Sequence, residues 1–109
     1  MNSETTYVQI NSNNELEFKE GAAEDLADFC HRAFTLAAIY KPESEKEANL
    51  QKECIFLFSI AYGFLIAKTL FNIQLDSDDI RKILESCRLA TIALMELVGN
   101  ELPDSPSFH

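Results

Sequence analysis

The stretch from residue 54 to 71, CIFLFSIAYGFLIAKTLF, limits what this chain can become more than any other. From Cys54 to Ala67 it runs fourteen residues without a charge, and Lys68 then interrupts it. A bilayer span needs about 20 apolar residues, so the run reads as the core helix of a soluble domain and not as a membrane crossing. It is too long for an ordinary strand of about 5 to 6 residues. It holds Leu57, Ala61, Leu65 and Ala67 and no proline. Gly63 is its one weak helix former, at about 1 kcal/mol relative to alanine.

A helix that is apolar in every direction must be covered in every direction. Ile55, Phe56, Leu57, Phe58, Ile60, Tyr62, Phe64, Leu65 and Ile66 point all round the axis. Two further helices from a short chain cover part of that surface. The remainder calls for the N-terminal segment, a second copy of the chain, or another protein. Ser59, Gly63 and Ala67 recur every four residues and form a ridge of small side chains, which allows a second helix to approach closely. These three are the first interface candidates.

Ahead of this helix, Val8 and Ile10 alternate with Tyr7 and Gln9, and Leu16 and Phe18 alternate with Glu15, Glu17 and Lys19. The intervening NSNN is a turn-forming cluster, so residues 5 to 20 read as a β-hairpin with a four-residue loop. An isolated hairpin is marginal in water and needs a surface to lie on. The uncovered side of the central helix is a candidate, and the alternative is a disordered N-terminal arm. Ala22 to Tyr40 then has helical periodicity at Leu26, Phe29, Cys30, Ala33, Phe34, Ala37 and Tyr40, with Glu24 and Asp25 in its first turn. Asp28 and Arg32 form an outward i,i+4 pair.

Pro42 ends that helix. Ser44 with Glu47 reads as a capping box, opening a second helix from about Glu45 to Asn72. Its first part, EKEANLQKE, is expected to project into solvent or toward a polar partner. In QLDSDD, Asp76 or Ser77 is the expected N-cap of a third helix over Asp78 to Val98. The same acidic cluster is no calcium loop, because the sixth and twelfth positions counted from Asp76 hold Arg81 and Cys87, not glycine and glutamate. The third helix carries a main stripe at Ile80, Ile83, Leu84, Cys87, Thr91, Leu94, Met95 and Val98. Its second half adds Leu89, Ala90, Ile92, Ala93 and Leu97, which implies two contact surfaces. Leu89, Ile92, Ala93 and Leu97 complete the interface candidates. Gly99 and Asn100 suit a helix end.

Little of this points to chemistry. Cys30, Cys54 and Cys87 fall one to a helix, an odd count with no CxxC pair, and read as buried reduced thiols. Cys30 and His31 are adjacent and so point about 100° apart on a helix. Asp28 and His31 have the spacing of a carboxylate–histidine metal pair, but bundles that hold metals use two such pairs and more carboxylates. Lys68 reads as a structural or snorkelling lysine. The glycines at 21, 63 and 99 are isolated, so no phosphate loop exists. No catalytic residue, cofactor or metal ligand is assigned. The net charge of −9, from 18 acidic and 9 basic residues, argues against nucleic acid as a ligand. It suits a basic partner surface. MNSETTYVQI has no basic segment leading into an apolar run, so no secretory leader is expected, and three free thiols suit a reducing cytoplasm.

The sequence therefore predicts a single all-α domain over residues 1–109, a three-helix antiparallel bundle with a short N-terminal β-hairpin and mobile ends at 1–4 and 101–109. The expected activity is non-catalytic protein binding, with homodimerisation, no membrane contact and no nucleic acid. Immunity, chaperone, inhibitor and adaptor proteins share this profile. The alternative is a small-ligand binder or enzyme with a pocket between helices, and a weaker one is an acidic mimic of nucleic acid.

Overall fold

Two five-residue links dictate the architecture, because helices joined so closely must run back alongside one another. The structure, a computed structural model, describes residues 7–99. The expectations for residues 1–4, Asn100 and 101–109 lie outside these. A β-hairpin of β1 (Val8–Ile10) and β2 (Leu16–Phe18) precedes three helices, α1 (Ala22–Ile39), α2 (Glu45–Phe71) and α3 (Ser77–Val98). The chain is thus the three-helix antiparallel bundle with an N-terminal hairpin that its periodicity predicts.

Each helix begins where its capping residues direct. Ser44 Oγ accepts the Glu47 N–H at 3.1 Å, and the Glu47 carboxylate reaches back to the Glu43 N–H at 2.8 Å. Asp76 caps α3 in a reciprocal box with Asp79: its carboxylate accepts the Asp79 N–H at 2.9 Å, and Asp79 accepts the Asp76 N–H. Gly21 has no side chain to cap α1. It supplies the left-handed turn, φ 77°, that redirects the chain from β2 into the helix. Asn72 takes the left-handed region at the end of α2, and Ile73 N–H donates back to Ala67 O at 3.3 Å, so the helix stops one residue short of the expected Asn72.

The hairpin pairs Val8 with Phe18, Gln9 with Glu17 and Ile10 with Leu16. Its connection is five residues, Asn11 to Glu15, one more than NSNN suggests. Asn11 organises it: its side-chain oxygen accepts the N–H groups of Asn13 and Glu15, and its backbone oxygen accepts that of Asn14. Asn14 takes the left-handed conformation, φ 61°, that closes such a loop.

The hairpin does not take the candidate surface on the uncovered side of α2. Val8 and Leu16 are buried against Ile80, with Phe18, Leu75 and Leu84 around them. The Leu16 N–H donates to Ser77 Oγ at 2.9 Å. The hairpin therefore covers the start of α3 and the α2–α3 link, and the outer side of α2 stays bare. The reason is local: Ile80 begins the apolar stripe of α3 outside the main core cluster, and the two-residue apolar face of the hairpin covers it.

The main core lies among the three helices. Leu26, Phe29, Cys30, Ala33 and Ala37 of α1 meet Cys54, Phe58, Ala61 and Leu65 of α2 and Ile83, Cys87, Ala90 and Leu94 of α3. Phe29 and Phe58 meet edge to face at 6.1 Å. The beginning of α2 is open to solvent as expected, with none of residues 45–53 fully buried, but it also holds the end of α1. Gln51 donates its amide to both Ala37 O and Tyr40 O, at 2.9 and 2.7 Å, closing the end of α1, while Leu50 packs on the core.

Candidate interaction surface

Only four of the residues of α2 are fully buried: Cys54, Phe58, Ala61 and Leu65. They recur every three or four positions and form one stripe, which α1 and α3 share. The opposite side is open. Phe56, Leu70 and Phe71 are 64%, 70% and 73% exposed, and Ile60 and Phe64 are also exposed. These side chains run along the helix from residue 56 to 71, about 22 Å at 1.5 Å per residue. Among the described residues nothing wraps the outer side of the central helix. It is covered on one side only, since two companions reach only the side they pack on.

Of the seven sequence-derived candidates, Ser59 and Gly63 lie in this open face, and Ala67 is half-buried within it. A Cβ built on Gly63 would meet nothing within 4 Å, so the glycine makes no close approach to the rest of the chain. Ser59 does not carry an unsatisfied hydroxyl into the apolar stripe, because its Oγ donates to Ile55 O at 2.6 Å. Leu89 and Ile92 are exposed on α3, as is Met95. Ala93 and Leu97 are buried instead, with Ala93 in the main core, so the second half of α3 offers a smaller outer surface than its composition suggests.

The sequence reading missed the large members of the face: Phe56, Ile60, Phe64, Leu70 and Phe71. A signal for them existed. Each falls on or beside the Ser59–Gly63–Ala67 ridge, so a ridge read as an outward contact would have carried them with it.

Concave regions adjoin the bundle among the described residues. A cleft of about 640 Å³ lies between the hairpin and the α2–α3 link, edged by Lys68, Glu15, Glu17, Gln74, Asp76 and Asp79. Asp76 and Asp79 are engaged in the α3 cap, and among the described residues no carboxylate forms an ion pair with the half-buried Lys68. A groove of about 310 Å³ runs beside His31, Tyr62, Ile66 and Glu24. There His31 lies against the Tyr62 ring at 5.9 Å, and Asp28 pairs with Arg32 at 3.1 Å and not with His31. Among the described residues no group of three or more His, Cys, Asp or Glu side chains is placed to hold a metal ion.

The three cysteines are free and buried, one on each helix. Burial, with help from the neighbouring Glu53 charge, pushes the Cys54 thiol up to about 11. The Cys87 thiol is raised further, first by its contact with Cys30 and then by burial. Such thiols resist ionisation and make poor nucleophiles.

By length and composition α2 is apolar enough to cross a bilayer, a test that core helices also pass. Comparison with family models, curated proteins and solved structures returned no match.

Proposed function

We propose that this chain is a non-catalytic acidic protein-binding module of the cytoplasm, and that the open face of α2 is its docking surface. The observation that carries this reading is the uncharged stripe from Phe56 to Phe71, left exposed on a helix whose other side forms the core. Exposed apolar surface of this extent is costly to solubility and marks interaction sites. The chain carries −9 overall, while α2 has no charge from Cys54 to Ala67, so the face can be buried against a partner without desolvating an ion. The three thiols are buried and Cys54 and Cys87 resist ionisation, which supports binding over thiol catalysis.

The test replaces Phe56 and Phe71 together with serine. Both side chains are exposed, so circular dichroism and the melting temperature should remain close to those of the parent. Proteins retained by the parent chain from the source cell, the chain itself included, should be lost by the double variant. Retention of the same proteins by both forms would remove the α2 face as the docking surface.

A further inference from the structure

We infer that the occupant of this face is a second copy of the chain, with the two α2 helices antiparallel about a twofold axis that passes between Gly63 and Phe64. The inference rests on the docking role given to the α2 face above and names its partner.

The area comes first. With roughly 200 Å² for a fully exposed aromatic side chain, the fractional exposures of Phe56, Phe64 and Phe71, with Ile60 and Leu70, leave on the order of 500 Å² of apolar side chain open on α2. That is more than half of the ~800 Å² per partner of a stable interface. Leu89 is exposed on α3, the helix that packs against the covered side of α2.

Charge narrows the choice. Two chains at −9 repel each other over most of their surfaces. The α2 face is uncharged from Cys54 to Ala67, so it is where two copies can meet without opposing like charges. The same net charge disfavours an anionic bilayer, and α2 lacks the lysine- and arginine-rich flank of helices that lie on membranes.

Shape fixes the direction. Gly63 leaves a notch with no atom near its missing Cβ, and Phe64 beside it is a knob. An axis between them places each Phe64 over the other copy's Gly63. The same operation sets Ile60 opposite Ala67, three residues out on either side, and Phe56 opposite Phe71, seven residues out. Large side chains thus face small ones near the axis, and aromatic rings close both ends. A parallel pair would instead stack Phe64 on Phe64 and leave the two notches facing each other. Isologous contacts of this kind are what a twofold dimer requires.

The experiment combines light scattering with cysteine cross-linking of the full chain. The parent should have twice its chain mass of 12.3 kDa at micromolar concentration. Gly63→Leu starts its side chain in open space on an exposed helix face, so it should remain folded while dimer affinity falls about 10- to 100-fold. Under mild oxidation, Phe56→Cys mixed with Phe71→Cys should cross-link. Phe56→Cys alone should not, because its two copies would lie about 22 Å apart. A monomeric parent would overturn the inference, and so would self-cross-linking of Phe56→Cys or a Gly63→Leu dimer of undiminished affinity. Flotation of a monomeric parent with phosphatidylcholine vesicles would overturn it in favour of a lipid surface. A monomer that still loses a foreign protein on serine substitution at 56 and 71 would sink the twofold pairing and leave the docking role standing.

Discussion

The sulfur atoms of Cys30 and Cys87 lie 3.5 Å apart, where α1 and α3 approach each other inside the core. Both side chains are fully buried, and each occupies a position at which a larger residue would hold the two helices apart. Cysteine serves here as a small hydrophobe that sets the spacing of the helices.

Replacing Cys87 with leucine should therefore destabilise the chain by about 1–3 kcal/mol through overpacking, and Cys87→Ala by less. Urea unfolding measures this as a lower midpoint with an unchanged slope. An unchanged midpoint for the leucine variant would show that α1 and α3 can separate freely.

The buried thiols also make stability depend on alkaline pH. Cys54 is raised from 9.0 to about 11 in the folded chain, and Cys87 is raised as well. A group whose folded pKa is raised contributes fully below its unfolded pKa and loses that contribution as pH climbs through the folded value. Stability should hold steady with respect to these groups below pH 9 and fall between pH 9 and 11, by on the order of 2–3 kcal/mol for Cys54. Cys54→Ala should show a shallower decline in denaturant titrations across that range. A parallel decline would assign the loss to other groups.

Gln51 is the only side chain, among the described residues, seen to satisfy carbonyls at the end of α1, and the last turn of that helix has no basic residue. Gln51→Leu keeps much of the volume and removes both hydrogen bonds. It should cost about 1–2 kcal/mol, with early fraying of α1. Hydrogen exchange at the amides near Tyr40 is the direct readout. Unaltered protection there would mean that water replaces the glutamine at no cost.

Gly63 gives a prediction whose sign depends on concentration. Within one chain, Gly63→Ala adds a methyl group into open space and improves helix propensity, so the dilute monomer should gain up to about 1 kcal/mol. At concentrations where copies associate, the gain should shrink as the notch fills. Melting temperatures across a dilution series would separate the two regimes. A loss of stability at high dilution would mean that the glycine is needed inside the chain itself.

The sequence by itself determined the three helices, the cap at Ser44, an N-cap of α3 at Asp76 or Ser77, the hairpin strands and the inward position of all three thiols. Each of these depends on short-range chemistry: a capping oxygen three residues from an amide, a repeat of apolar side chains, a proline between helices. It also determined that α2 exceeds what two companions can cover. The tertiary structure alone decided which side of α2 stays open. A helix apolar in every direction has no preferred phase, so the positions of α1 and α3 select Cys54, Phe58, Ala61 and Leu65 for the core and leave Phe56, Phe64 and Phe71 outside. It likewise decided that the hairpin rests on Ile80 and not on α2, because an alternating strand specifies that one face must be buried but not against what.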